Sequence, residues 1–265
     1  MNREQRRKAA KSQKVGYAPS RGKTDENLFE RMVPLIENLP GGLFSIVCNE
    51  NARYTAFTAS MVTLLLPLNS RYSFHTGAYV VDSCNRAIAG MREGEDWICF
   101  MGDDHVFPPE FVLKLLAAMY KDDLDCIVPV CFKRSYPPTP VLLDKPDPKK
   151  SLYVPINLDD HPNGGVIEVH AAGSAGMIVR KRCLDAMEPP WFRFGIEGRG
   201  EDIDFCERLH EHGFKVHADL DMSLGHILNT AIWPVRSAEG GDWGCRYDFN
   251  TQGGFVLGLG LTNDV

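Results

Sequence analysis

The chain has 265 residues, 44% of them hydrophobic, and a formal net charge of −6. This length and composition allow a substantial core and favour one domain of enzyme size. The acidic balance argues against a protein that holds nucleic acid by general electrostatics, because such binding needs a basic face. No apolar stretch approaches the roughly 20 residues that cross a bilayer. The first residues show no apolar signal segment, so we expect a cytoplasmic protein.

Helices and strands alternate in the predicted elements of the first half. Residues 1–26, rich in Lys, Arg, Gln and Ser, predict a flexible basic arm. This alternation favours an α/β fold with a mostly parallel sheet. Hydrophobic spacing predicts, in order, a helix at 28–38, a strand at 43–50, a helix at 55–66, a strand at 72–77, a helix at 80–94, a strand at 96–102, a helix at 110–122 and a strand at 124–132.

The second half is less regular, with short strand-like pieces, a clear helix at 202–212 and a Gly-rich segment from residue 238. We predict a main domain at 27–235, made of a nucleotide-binding donor half at 27–132 and an acceptor-side half at 133–235, followed by a Gly-rich segment at 236–265. The eight cysteines form no CxxC pair and most lie in apolar stretches. This pattern predicts buried, reduced thiols.

An apolar run that ends at Gly102 leads directly into Asp103 and Asp104. In an open parallel sheet, ligands bind at the carboxyl ends of the strands. Two adjacent carboxylates repel each other unless a cation or a donor neutralises them, and their oxygens suit Mg²⁺ or Mn²⁺. Alternatively, the pair caps the helix that follows Pro108 and Pro109.

A second acidic pair, Glu201 and Asp202, stands at the predicted start of the helix at 202–212. The helix dipole alone would stabilise acidic residues there. The preceding Gly198 and Gly200 would also permit a sharp turn that presents a carboxylate to a cleft as a general base. His226 ends a later apolar stretch; a lone His is more often structural, but here it is a candidate third metal ligand.

Polar residues at the ends of other elements could complete a site, although each is also an ordinary solvated position. An Arg there could pair with a diphosphate. No GxxxxGK[ST], no GxGxxG at a strand-to-helix turn and no GxSxG occurs, so the sequence does not support P-loop, dinucleotide-binding or typical hydrolase sites. The polar candidates at the ends of elements are Asn49, Glu50, Asp82, Arg86, Lys133 and Arg134.

The order of these pieces resembles the GT-A fold glycosyltransferases of the family 2 type, above all the compact phage and bacterial forms. The resemblance covers about residues 43–227. It is carried by SIVCNE, VVDSCNRAIAGM, DWICFMGDDHVFPPEFVLKLL, AAGSAGMIVRKRCLDAM, GEDIDFCERLHEHGF and LGHI, in that order. It implies the GT-A fold, a mostly parallel central sheet flanked by helices.

The resemblance also implies roles for the acidic residues. GDDH stands where such enzymes have the DxD motif, so Asp104 matches the second, metal-binding aspartate and Gly102 replaces the first. Asp103 or His105 would then supply what Gly102 cannot. His226 matches the histidine that completes a site for Mn²⁺ or Mg²⁺.

The same resemblance implies that Asp202 is the base that deprotonates the acceptor, with Glu201 as a positioning residue or alternative base. The implied reaction is metal-dependent, inverting transfer from a nucleotide sugar, a UDP-sugar, to a hydroxyl group. Asn49, Glu50, Asp82, Arg86, Asp103, Lys133 and Arg134 fall on the donor-binding side.

Two other functions remain open: a non-catalytic module that binds nucleotides or glycans, and a nucleotidyltransferase. The acceptor could be a glycan, a lipid, a protein or, for a phage enzyme in its host cytoplasm, a modified nucleic-acid base. Aromatic faces stack on sugars and bases, so the C-terminal segment is expected either to lie near the acceptor or to pack on its own domain. Its aromatic residues are Trp233, Trp243, Tyr247 and Phe249.

Overall fold

The computed structural model describes ten ranges of the chain, and its side chains from residue 28 to residue 228 within them. Asn49, Glu50 and the predicted arm up to residue 25 lie outside these ranges, as do the side chains of the four C-terminal aromatic residues. The chain divides into two units, Met1–Pro34 and Leu35–Val265. The predicted boundaries at 26, 132 and 235 stay predictions. The ranges are 26–47, 54–77, 79–134, 138–145, 147, 152–194, 199–228, 230–236, 243–249 and 256–259.

Five of the six α-helices in the described residues fall at or close to the predicted positions, and the sixth, at Lys181–Asp185, is an addition. The helix predicted at 80–94 ends earlier, at Ala89. Gly90 occupies the C-cap position, and the helix does not continue beyond it. The helices are α1 (Glu26–Asn38), α2 (Thr55–Thr63), α3 (Val80–Ala89), α4 (Phe111–Lys121), α5 (Lys181–Asp185) and α6 (Glu201–Glu211), with a 3₁₀ turn at Leu158–Asp160.

Seven strands form the central sheet in the order β2-β1-β3-β10-β5-β11-β8. Five of them run in one direction, whereas β10 and β8 are antiparallel to their neighbours. This is the mostly parallel sheet that the sequence predicts. The strands are β1 (Leu43–Val47), β2 (Arg71–His75), β3 (Trp97–Gly102), β5 (Cys126–Val130), β8 (Val166–Val169), β10 (Met177–Arg180) and β11 (Val216–Ser223).

The described residues also form three smaller sheets, one of which joins β6 to β7 and β9. A two-stranded sheet pairs β4 with β12, and an antiparallel sheet of three strands joins β13, β14 and β15. Two strands of that last sheet, at Trp243–Phe249 and Val256–Leu259, lie in the segment predicted only as Gly-rich. The remaining strands are β4 (His105–Val106), β6 (Leu142–Asp144), β7 (Val154–Pro155), β9 (Ala171–Ala172), β12 (Gly225–His226), β13 (Thr230–Arg236), β14 (Trp243–Phe249) and β15 (Val256–Leu259).

The core lies on both faces of the sheet. Successive side chains of a strand point to opposite faces, so Ile98 and Phe100 of β3 pack into one apolar cluster while Trp97, Cys99 and Met101 pack into the other. All five are at most 1% exposed. Burial on both faces explains why this strand is a continuous apolar run that ends where the sheet ends. Within the described residues, no helix is both long enough and apolar enough to cross a membrane.

Candidate active site

The site begins at the carboxyl end of β3. A turn at Asp103 and Asp104 leads into β4, which pairs with β12 so that His105 stands opposite His226. This short ladder stacks the two imidazole rings, with centroids 4.3 Å apart and planes 18° from parallel. Residues separated by more than 100 positions in the chain therefore share one corner of the fold.

The Asp104 carboxylate is the acidic centre of this corner. Its Oδ1 lies 2.8 Å from Nδ1 of His105, and its Oδ2 lies 3.3 Å from Nε2 of His226. Arg134 places Nη1 3.0 Å from the same Oδ2. Burial raises the pKa of Asp104, but the hydrogen bonds and charges of the two histidines outweigh burial and hold that pKa well below its usual range. The carboxylate is therefore ionised at neutral pH.

Gly102 is required by the packing of this turn. A Cβ atom there would lie 2.8 Å from Oδ1 of Asp104 and 3.1 Å from Nδ1 of His105. Both distances are shorter than carbon makes comfortably with these atoms. The residue that stands in place of the first aspartate of a DxD motif is thus the one that lets Asp104 turn back onto its histidine neighbour.

Three side chains in this corner could hold a metal ion: His105, Cys131 and His226. One ligand atom from each lies within 4.8 Å of the other two. His105 is 5% exposed, and neither of its ring nitrogens has a partner with hydrogen-bond geometry. A buried imidazole left in this way fits a ligand waiting for a cation.

The charge state of the cluster follows from its close contacts. His226 Nδ1 lies 2.9 Å from the carbonyl oxygen of Phe132 and must donate to it. Burial lowers the pKa of His226, but Asp104, Cys131 and that carbonyl outweigh burial and raise the pKa to about 9. Burial likewise raises the pKa of Cys131, yet the two histidines bring it down to about 7. Without a metal, His226 is therefore protonated at neutral pH, and the Asp104 carboxylate balances its positive charge.

A cavity of about 180 Å³ connects this cluster to the second acidic pair. Asp103, Asp104, His105 and His226 line it together with Glu201 from the first turn of α6. Two sequence motifs almost 100 residues apart therefore open into one enclosed space.

Asp202, the neighbour of Glu201, is partly buried. Its Oδ1 accepts a hydrogen bond of 2.8 Å from the backbone N–H of Ile203, and Gly200 leaves room for that carboxylate, since a Cβ there would lie 2.7 Å from Oδ1. Burial, and after it the charge of Glu201, raise the pKa of Asp202, while Lys133 acts in the opposite direction. A carboxylate whose proton affinity is raised is better suited to accept a proton.

A larger, more open cavity of about 820 Å³ lies beside the first and shares Val80 and Glu201 with it. Asp82 and Arg86 of α3 line this cavity. Tyr79 and Phe194 stand at its border, 72% and 64% exposed, with their rings edge to face at 5.8 Å.

The border of the larger cavity is tied to both neighbouring helices. Asn85 of α3 exchanges two hydrogen bonds, of 2.8 and 3.0 Å, with the backbone of Phe192. Arg193 makes a two-pronged ion pair of 2.9 and 3.0 Å with Asp204 of α6. The segment before Phe194 is thereby fixed between α3 and α6, whatever the cavity holds.

The structure thus brings most of the predicted residues to one edge of the sheet. Asp103, Asp104 and His226 meet with Glu201, and Arg134 reaches the same carboxylate as the histidines. Asp82 and Arg86 lie in the adjoining cavity instead. Asn49 and Glu50 lie outside the described residues.

Cys131 is the residue that sequence reasoning missed. It was grouped with the other cysteines as a core thiol because it lies in an apolar run. Its position one residue after β5, at the edge where Asp104 follows β3, was the available signal.

Comparisons with known proteins show which folds and families this chain resembles. Residues 82–177 match the model of glycosyl transferase family 2. A crystal structure of A197 from STIV is similar over 71% of this chain and 86% of its own, at 14% identity and a TM-score of 0.50. GalNAc-T7, solved with UDP, GalNAc and Mn²⁺, is similar over 72% of this chain and 43% of its own, at 10% identity and a TM-score of 0.52. No curated protein sequence matches the chain.

At these identities the solved structures inform the fold, and the family model informs the segment that contains α3, β3, α4, β5 and the start of β10. Together they support a glycosyltransferase. The protein has a GT-A fold similar to that of the family 2 type, and its residues 82–177 resemble glycosyl transferase family 2.

Proposed function

We propose that this protein transfers a sugar from a UDP-sugar to a hydroxyl acceptor, with inversion at the anomeric carbon and with a bound divalent metal. The observation that carries the proposal is the cavity of about 180 Å³ lined both by Asp103, Asp104, His105 and His226 and by Glu201. Sugar transfer from a diphosphate needs positive charge at the leaving group and a base at the nucleophile. One cavity with both motifs in its wall can meet both needs.

The chain's own residues supply the leaving-group side. Asp104, His226 and either Asp103 or His105 would hold the ion, for which the predicted choices are Mn²⁺ and Mg²⁺. A bound divalent ion would neutralise charge on the departing diphosphate. Arg134, 43% exposed and paired with Asp104, is positioned to exchange that partner for a phosphate oxygen.

The acceptor side falls to Asp202. Its raised pKa suits removal of a proton from a hydroxyl group as that oxygen attacks. Glu201, which lines both cavities, would orient the acceptor or act as the alternative base. Asp82 and Arg86 would contact the nucleoside and phosphates from the larger cavity, and Lys133 would add positive charge near Asp202.

Release of UDP from a panel of nucleotide sugars, measured with and without Mn²⁺, tests the proposal. We expect Mn²⁺-dependent release that rises when a suitable glycan, lipid, protein or nucleic-acid acceptor is added. Failure to release nucleotide and to bind any nucleotide sugar would refute it. Binding without any release would instead indicate a non-catalytic nucleotide-binding module. A cytoplasmic location remains part of the proposal and requires imaging of the tagged protein in its own host.

A further inference from the structure

We propose that Cys131 is a direct ligand of the metal centre, which is then a mixed nitrogen and sulfur site that prefers a borderline ion, Zn²⁺, over Mn²⁺ or Mg²⁺. This inference rests on the proposed function for the location of the metal in the reaction. It departs from that function in the identity of the ligands and of the ion.

The first support is distance. The ligand atoms of His105, Cys131 and His226 lie within 4.8 Å of one another. With Zn–N distances of about 2.0–2.1 Å and a Zn–S distance of about 2.3 Å, tetrahedral ligand atoms stand roughly 3.3–3.8 Å apart. A contraction of about one ångström therefore completes the set. Asp104, already in contact with both histidines, is at hand as a fourth ligand.

The second support is the hydrogen bonding of the two histidines. A metal-bound His usually donates its other N–H to a carbonyl or carboxylate, which fixes the ring and its tautomer. His226 has this arrangement, because Nδ1 is held by the carbonyl of Phe132 at 2.9 Å and Nε2 faces the cluster. His105 is 5% exposed; its Nδ1 contacts the Asp104 carboxylate at 2.8 Å without hydrogen-bond geometry, and its Nε2 has no hydrogen-bond partner among the described residues. A metal at Nε2 would satisfy that nitrogen, whereas packing alone leaves it without a partner.

The third support is the position of Cys131 among the thiols. It is 6% exposed, and its Sγ makes a weak hydrogen bond of 3.8 Å to the carbonyl oxygen of Phe132. The other described cysteines are also buried. Across the part of the chain that the structure describes, however, the only group of three His, Cys, Asp or Glu residues close enough to hold a metal includes Cys131.

The chemistry of the donors sets the preference. Soft thiolate ligands select Zn²⁺ over ions that prefer oxygen, and imidazole also suits Zn²⁺. Affinity for a site of nitrogen and sulfur rises from Mn²⁺ to Zn²⁺ in any case. A thiolate ligand should increase the ratio of Zn²⁺ affinity to Mn²⁺ affinity, and a carboxylate in its place should decrease that ratio.

Titration of the metal-free protein with Co²⁺ tests ligation directly. We expect an intense sulfur-to-cobalt charge-transfer band in the near ultraviolet, which Cys131→Ser should abolish. Cys183→Ser, a matched change at a buried cysteine in α5, should leave the band unchanged. A wild-type spectrum without the band, or a Cys131→Ser spectrum that keeps it, would overturn the proposal. If Cys131→Ser fails to fold, the wild-type spectrum still decides.

Competition with a chromophoric chelator then tests the preference. For Cys131→Ser we expect Zn²⁺ affinity to fall more than tenfold and Mn²⁺ affinity to fall less. For Cys131→Asp, we expect the ratio of Zn²⁺ to Mn²⁺ affinity to drop below the wild-type ratio. Equal losses for both ions in Cys131→Ser would mean that the thiol only supports the structure, which contradicts ligation.

Nucleotide release measured on the same preparations separates this inference from the proposed function. A sulfur-to-cobalt band without turnover of any nucleotide sugar supports ligation by Cys131 and refutes the transferase. Turnover that is unaffected in Cys131→Ser, together with the absence of the band, refutes ligation alone.

Discussion

Replacement of Asp202 by Asn should separate catalysis from folding. The change is nearly isosteric, and the side-chain oxygen of Asn can still accept the hydrogen bond of 2.8 Å from the backbone N–H of Ile203. The start of α6 is therefore expected to survive. What the variant loses is the ability to take a proton from the acceptor.

The size of the loss follows from general-base catalysis, which contributes about 100- to 10,000-fold to rate. We therefore expect kcat/KM for sugar transfer to fall by about this factor, which is roughly 3–5 kcal/mol of transition-state stabilisation. The Kd for UDP and the Co²⁺ spectrum should stay unchanged, because Asp202 is not one of the described residues that line the cavity with Asp104.

The thermal stability of the Asp202→Asn variant, unlike its activity, should not fall. Burial, followed by the charge of Glu201, raises the pKa of Asp202. A carboxyl group with a raised pKa in the folded state stabilises the fold below its ordinary value of 3.8 and loses that contribution as pH rises. The neutral Asn variant should therefore have a Tm at least equal to that of wild type at pH 7, and the difference should shrink as pH approaches 4.

Initial rates with a UDP-sugar and thermal melts across pH 4–8 check both halves. Asp160→Asn, which removes an exposed carboxylate from the 3₁₀ turn, is the matched control and should change neither quantity. A variant with wild-type transfer would show that Asp202 is not the base. A variant with a markedly lower Tm at pH 7 would show that the carboxylate stabilises the fold rather than straining it.

Three further changes probe the framework around the site. Glu207→Gln should lower the free energy of unfolding in urea by about 1.5–3 kcal/mol, the usual worth of a charged hydrogen bond. Burial opposes ionisation there, but three side-chain partners lower the pKa of Glu207 to about 2, so the stabilisation should be present above pH 4.5 and disappear as pH falls towards 2. Phe192→Ala empties a fully buried position stacked 4.2 Å from Phe205 and should cost about 3–5 kcal/mol in the same assay. Gly102→Ala should weaken Co²⁺ binding by about 10- to 100-fold with a smaller effect on Tm, because its Cβ would displace Asp104.

Each of these changes has an outcome that would contradict the structure. A Glu207→Gln variant with the wild-type pH profile would mean that Lys145 and His170, at 2.7 and 2.9 Å, do not stabilise the ionised carboxylate. A Phe192→Ala variant as stable as wild type would place that ring outside the core. Unchanged Co²⁺ binding in Gly102→Ala would show that the turn tolerates a side chain.

The sequence predicted the parts of the fold that depend on local pattern. The run at 96–102 was identified as a buried strand because β3 is covered on both faces, and the spacing at 202–212 gave α6 to within one residue. Strand β11 was missed although Val216–Ser223 alternates apolar and polar residues throughout, which was the available signal; only its register against β5 is irregular, after Asp219. The antiparallel sheet near the C-terminus was missed because glycines obscure its alternation.

The sequence predicted the site residues that directly follow a strand. It missed a residue that joins the site only through the pairing of distant strands. Asp104 follows β3 directly, so the strand-end rule found it. Cys131 joins the histidines because β12 returns to pair with β4, and its position one residue after β5 was the only local signal. Asp82 and Arg86, expected to contact the base, ribose and phosphates of the donor, line the neighbouring cavity, and their role stays a prediction.

Strand β10 lies between β3 and β5 and runs antiparallel to both. The two ends of the sheet therefore differ: one carries the candidate site, and the other does not. Because β10 runs antiparallel, the loop before it, with Ser174 and Ala175, reaches the cavity wall. The opposite edge is closed by ion pairs of Arg182 with Asp123 and Asp125. Exposed turns on that edge, such as 93–94, are suited to a fluorophore or a surface tether. Such attachments would lie away from the end of the sheet that carries the cavities of about 180 and 820 Å³.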